Sequence, residues 1–242
     1  MDLKVIPVLD IKNGLVGLAK TGLRDAYKPV KSWLCPFSSP VAMVEVLKSL
    51  GFKEVYVADL DAITYGTPDL ALYRGLASRI RVMVDPGLRS LEDASRILEV
   101  GVHKLILATE TLSCLTLAEK VLETFGPGRV ILSLDLRNRK VLSKMAELRD
   151  LDPLTCLRKM VKLGFKEVIA IDLARVGSFA GPDLELVKIL KKVPVKLITG
   201  GGVRSLKDLK LLEREGVEAV LVASALHRST LSVDELSRMG FL

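Results

Sequence analysis

Short runs of apolar, often β-branched residues recur along the chain, and longer amphipathic stretches separate them. The runs fall at residues 5–9, 54–58, 82–84, 104–107, 130–134, 167–171, 195–198 and 219–222. Little polar alternation interrupts them, so each predicted strand must be covered on both faces, as in a parallel sheet. The intervening stretches PVAMVEVLKSLG, LEDASRILEVG and LKDLKLLEREG space their apolar residues at helical period. Gly51, Gly101, Gly164 and Gly216 stand where such helices must stop, at the left-handed capping position glycine favours.

The order of these elements repeats. LGFKEV occurs at residues 50–55 and again at 163–168, and each copy leads into a run ending in an acid, Asp59 and Asp172. A Pro-Asp-Leu helix start then follows at Pro68 and again at Pro182. DPGLRSLEDASRILEVGV from Asp85 matches GGGVRSLKDLKLLEREGV from Gly200, and the opening VIPVLDIKNGLV around Asp10 matches VILSLDLRNRKV around Asp135. Two halves, about residues 1–125 and 126–242, therefore predict duplication and fusion; solenoid repeats are far shorter. Eight strands alternating with helices predict a single α/β domain, a (β/α)8 TIM barrel. An open doubly wound sheet is the alternative. Two equivalent four-strand halves favour the barrel because closing them leaves no exposed edge.

In a barrel, residues just past the C-terminal ends of the strands face the active-site mouth. Asp10 and Asp135 end the first and fifth strands, which lie opposite one another, so their carboxylates would flank one cavity as general acid and base. Capping of a following turn is the plainer role for an aspartate there. ITGGGVRS is a strand, a glycine turn and a helix start; Gly200, Gly201 and Gly202 let backbone N–H groups approach an anion closely. Ala223 and Ser224, after the eighth strand, complete the usual barrel phosphate site. Pseudo-symmetry puts a second phosphate at Gly87, Arg89 and Thr109, but Pro86 lacks a donor and an ionised Asp85 would repel an anion.

Composition narrows the partners. Thirty-six Lys and Arg against 29 Asp and Glu give a net charge of +7. That balance fits nucleic acid, an anionic small molecule or a lysine-rich surface. Only 5% of residues are aromatic and no recognition motif accompanies the basic residues, so a phosphorylated small-molecule substrate is preferred to nucleic acid. No apolar stretch approaches the roughly 20 residues of a membrane span, and no secretory signal opens the chain, which predicts a cytoplasmic protein. Cys35, Cys114 and Cys156 are scattered and there are only two histidines, so neither a disulfide scaffold nor a metal site is expected. The absence of Gln, with Asn only at positions 13 and 138, predicts a heat-adapted source.

VIPVLDIKNG, the DLD at Asp59–Asp61, SLDLRN at Asp135, GPDLEL at Gly181, and ITGGGVRS followed by VEAVLVASAL together resemble the histidine-biosynthesis HisA/HisF family across essentially the whole chain. The resemblance implies an isomerase converting an aminoimidazole carboxamide ribotide with two phosphates from aldose to ketose. That Amadori rearrangement opens a ribose ring and moves a proton from C2, using an acid and a base without metal or redox cofactor. By motif, Asp10 would be the base and Asp135 the acid. Asp59, Gly177 and Ser178 are expected to contact substrate.

The cyclase member of the family is less similar, since its lysine eight residues beyond the first aspartate is Leu18 here. The isomerase pattern also changes at the mouth. The family's Arg-Asp-Gly-Thr appears as Arg175, Val176, Gly177 and Ser178; the first glycine triplet is Asp-Pro-Gly; and the tryptophan-bearing loop after the fifth strand is LSKMAELRDL. The charged loop at residues 21–32 resembles a divergent archaeal branch found with methanopterin chemistry, and Gly22, Arg24, Lys28 and Lys31 are candidates for a lid over an anionic substrate. A paralogue acting on another phosphoribosyl substrate and a non-catalytic phosphosugar-binding barrel are the alternatives. A monomer or small homo-oligomer is expected.

Overall fold

The apolar runs pair with one another in sequence order and close on themselves. A computed structural model describes residues 3–18 and 28–242. Eight parallel strands form the wall: β1 (Lys4–Lys12), β4 (Glu54–Asp59), β5 (Arg81–Asp85), β6 (Lys104–Ala108), β7 (Val130–Arg137), β9 (Glu167–Asp172), β10 (Lys196–Gly200) and β11 (Ala219–Val222). Each pairs with the next, and β11 pairs back onto β1 from Lys4↔Ala219 to Pro7↔Val222, which closes the (β/α)8 barrel.

Both faces of the strands are buried, as their composition demands. One face carries Ile6, Tyr56, Met83, Ile106, Ile131, Ile169, Ile198 and Leu221, which pack together inside the barrel. The other face supplies Leu9, Val57, Val84, Leu107, Leu134 and Ala170 to the layer beneath the helices. This is the filled interior expected of a barrel of this size.

Helices alternate with the strands: α1 (Pro40–Ser49), α2 (Leu60–Tyr65), α3 (Leu70–Ala77), α4 (Leu91–Glu99), α5 (Leu115–Phe125), α6 (Pro153–Leu163), α7 (Leu184–Leu190), α8 (Leu206–Arg214), α9 (Ser224–His227) and α10 (Val233–Arg238). Their starts follow from local chemistry. Asp69 and Asp183 cap α3 and α7 by accepting from Leu72 N and Leu186 N at 2.9 and 3.1 Å. Ser90 does the same for α4, and Asp152 for α6, where Pro153 sits in the first turn.

Strand registers repeat across the halves. Asp10 pairs with Ala58 and Asp135 with Ile171; Ala58 pairs with Asp85 and Ile171 with Gly200. Asp85 therefore occupies the place that Gly200 holds in the other half. Each half also extends its first strand into an antiparallel hairpin that the sequence reading did not foresee: β1 with β2 (Leu15–Leu18), and β7 with β8 (Lys140–Val141). The turns use left-handed residues, Asn13 and Gly14 in one and Asn138 and Arg139 in the other, which matches the twist of a two-residue hairpin. A further short strand, β3 (Lys28–Pro29), pairs with β2.

Candidate active site

The C-terminal ends of the barrel strands surround a cavity. Asp10, Asp85, Glu110 and Asp135 contribute carboxylates to its lining, and Gly200, Gly201, Gly202, Ala223 and Ser224 line it as well. β1 and β7 are opposite in the eight-strand ring, so Asp10 and Asp135 enter from opposite walls. Both are buried.

Asp135 is held firmly. Ser133 Oγ donates to its Oδ1 at 2.8 Å and the Glu110 amide to its Oδ2 at 3.2 Å, while its own N–H donates to Thr109 Oγ1 at 3.0 Å. Burial, and then the negative charge of Asp85, push its carboxyl up to about 8, against the pull of the Ser133 hydrogen bond. A carboxyl in that range carries a proton at neutral pH and can donate it.

The two glycine-turn regions differ. Gly201 and Gly202 adopt left-handed φ of 94° and 79°, and Gly202 passes so close to the Gly181 carbonyl that a Cβ would lie 2.4 Å from its oxygen. The Ser224 hydroxyl beside them makes no hydrogen bond to the other described residues. In the first half, the Gly87 N–H donates to Asp85 Oδ1 at 3.0 Å. Thr109 is fully buried, and the Arg89 guanidinium turns to the Ile63 and Thr64 carbonyls at 3.4 and 3.3 Å. None of Gly87, Arg89 and Thr109 lines the cavity.

Asp59, an expected substrate contact, is instead tied into the scaffold. Its Oδ1 accepts from Ala62 N at 2.9 Å to cap α2, and its Oδ2 accepts from the Tyr73 hydroxyl at 2.6 Å. Gly177 lines the cavity, whereas Ser178 is exposed, with its hydroxyl donating to the Arg175 carbonyl at 2.7 Å. Gly22 and Arg24 lie outside the described residues.

Sequence reading passed over Glu110 and Phe179 and noted Val176 only as a departure from the family pattern; all three line the cavity. Comparing the halves could have found Glu110, because the matching position after the eighth strand is Ala225. Val176 and Phe179, with Leu173, make the wall beside Gly177 apolar. The Arg228 guanidinium stacks over the Phe179 ring at 5.1 Å. Among the described residues, no three of His, Cys, Asp and Glu come together to hold a metal ion, and no helix is long and apolar enough to cross a membrane.

The family model of histidine biosynthesis proteins matches residues 4–232, the entire barrel. The chain belongs to this family. It is 32% identical to an uncharacterized protein of Methanocaldococcus jannaschii over 237 residues, 97% of each chain. It is 30% identical to the 1-(5-phosphoribosyl)-5-((5-phosphoribosylamino)methylideneamino) imidazole-4-carboxamide isomerase of Halothermothrix orenii, covering 98% of this chain and 99% of that one. Against the isomerase of the same name from Bacillus anthracis it is 29% identical over 202 residues, 81% and 84% of the two chains. The first two of these relatives match over nearly the whole chain.

Proposed function

We propose that the protein is an aldose–ketose isomerase acting on a phosphoribosyl metabolite, with Asp135 as general acid and Asp10 as general base. The observation that carries this reading is a pair of buried aspartates from opposite strands lining one cavity, one of them with its carboxyl raised to about 8. A rearrangement of this kind needs one group that holds a proton and another that removes one, with the substrate between them. Relatives named as isomerases, similar over 81% to 98% of this chain, support the same chemistry.

In the first step Asp135 gives its proton to the ribose ring oxygen as the C1–O bond breaks, and the amino group at C1 supplies the electrons that leave an open-chain iminium. Asp10 then takes the C2 proton, and the electron pair of that bond neutralises the iminium to give an enaminol. Tautomerisation moves the oxygen-bound proton to solvent or to Asp135 and returns one to C1, which leaves the ketose. The backbone of Gly200–Gly202 and the Ser224 hydroxyl hold the ribose phosphate throughout. The Val176 and Phe179 wall keeps water from the open-chain intermediate.

Incubation of the purified protein with aminoaldose phosphates of the ribosyl type, among them the aminoimidazole carboxamide ribotide, tests the reading by NMR of the aldose and ketose signals. Ketose should form, and Asp10→Asn and Asp135→Asn should each slow it by at least about a hundredfold. No conversion of any aldose, or wild-type rates in either variant, would overturn it.

A further inference from the structure

The two halves place matching residues in matching registers, yet among the described residues only the second brings its glycine turn to the cavity. Asp85, Pro86 and Gly87 stand where Gly200, Gly201 and Gly202 stand; Thr109 and Glu110 stand where Ser224 and Ala225 stand. On the second-half side, the glycine turn and the Ser224 hydroxyl border the cavity. On the first-half side, Pro86 has no N–H to give, and the Gly87 N–H already donates to the Asp85 carboxylate at 3.0 Å. Thr109 accepts from the Asp135 backbone and is fully buried, and Arg89 is bound to two backbone carbonyls.

Asp85, Glu110 and Asp135 line that side of the cavity, where a second phosphate would have to sit. Its dianion would displace the Asp85 carboxylate from the Gly87 amide and meet repulsion from Asp85 and Glu110. Hydroxyl or amino groups, which donate, suit the same oxygens. The isomerase name of the relatives contains two phosphoribosyl groups.

We propose that Asp85 sets substrate choice: the site takes a phosphoribosyl compound bearing a single phosphate, bound at Gly200–Gly202 and Ser224, whose far end presents hydroxyl or amino donors to Asp85 and Glu110. This rests on the isomerase reading of the same cavity and narrows its substrate class.

Calorimetric titration of the full chain with ribulose 5-phosphate and with ribulose 1,5-bisphosphate, two probes that differ by one phosphate, tests it. The monophosphate should bind, and the bisphosphate should bind roughly tenfold or more weakly. In Asp85→Gly, which restores the residue type of the other half, the ratio of bisphosphate to monophosphate affinity should rise by about tenfold or more. Bisphosphate affinity within about threefold of the monophosphate's, or above it, in the wild-type chain overturns the proposal whether or not the variant folds. That result leaves the isomerase reading standing if aldose is still converted. Failure of both probes to bind overturns the proposal and the phosphate-site assignment together.

Discussion

The Ser133 hydroxyl donates a 2.8 Å hydrogen bond to Asp135 Oδ1, and this bond favours the ionised form of an acid that burial and Asp85 otherwise keep protonated. If Asp135 is the general acid, its protonated form is the active one. Turnover should therefore fall as pH rises through about 8. Ser133→Ala removes a contact that stabilises the anion, so the alkaline limb should move to higher pH while the rate at neutral pH changes little. A pH–rate profile of kcat for both proteins checks this, and a limb that stays in place or moves down would separate Asp135 from the acid role.

Gly202 tests the glycine turn independently of the acid and base. Its φ is 79°, and an added Cβ would stand 2.4 Å from the Gly181 carbonyl oxygen, which is backbone and cannot swing aside. Gly14, at φ 72°, has open space around it. Gly14→Ala should then cost only the left-handed backbone penalty, about 1–2 kcal/mol. Gly202→Ala should add about 1–3 kcal/mol of overpacking and weaken phosphate binding. Thermal melts of the two variants with and without ribulose 5-phosphate compare them; equal destabilisation would show that the close approach to Gly181 is not a constraint.

Arg139 joins the hairpin after β7 to the start of α7. Its Nε and Nη2 donate to Asp183 Oδ2 and Oδ1 at 2.7 and 2.6 Å, and the same Asp183 Oδ1 caps α7. Arg139 itself sits at φ 60°, which disfavours any residue with a Cβ. Arg139→Ala keeps that strain and loses the fork, for about 1–2 kcal/mol once solvent screening of the half-exposed arginine is allowed for. Arg139→Gly loses the fork but relieves the backbone, so it should be less destabilising than alanine by about 1 kcal/mol. Chemical denaturation of the pair gives the order, and alanine proving the milder change would contradict this account.

The barrel was legible because its signal is local and repeated. Seven of the eight sequence-predicted strands lie within the observed ones and the eighth, at 195–198, starts one residue early, since a run such as VIAI can only be buried on both faces. The hairpins were harder: Asn13-Gly14 is a turn signal, but nothing in Arg139 announces a left-handed residue, which the grip of Asp183 helps to hold. Position at a strand end was enough to place Asp10, Asp135, Gly200–Gly202, Ala223 and Ser224 on the cavity. It was not enough for Asp59, Arg89 and Thr109. Their side-chain directions are set by partners that spacing does not reveal: Tyr73 for Asp59, the α2 carbonyls for Arg89, and the Asp135 amide for Thr109. The same comparison of halves that exposed the repeat also exposes where the site has lost its symmetry, at Asp85 and Glu110.

His227 gives a prediction for the fold rather than the reaction. It is buried, and its Nδ1 lies 2.9 Å from Ser32 Oγ. Burial lowers its pKa from 6.5 to about 4, against a smaller upward pull from Val8. Above pH 6.5 the ring is neutral both folded and unfolded and contributes no pH dependence. Between pH 6.5 and 4 the unfolded chain takes up the proton first, so stability drains away as pH falls. Below 4 both states are charged and the loss, on the order of 3 kcal/mol, is complete. His227→Gln retains polar atoms for Ser32 but cannot titrate. Its melting temperature should change less than that of the wild-type protein across pH 6.5 to 4, whatever its absolute value; parallel curves would mean that the histidine is charged in the folded protein as readily as in the unfolded chain.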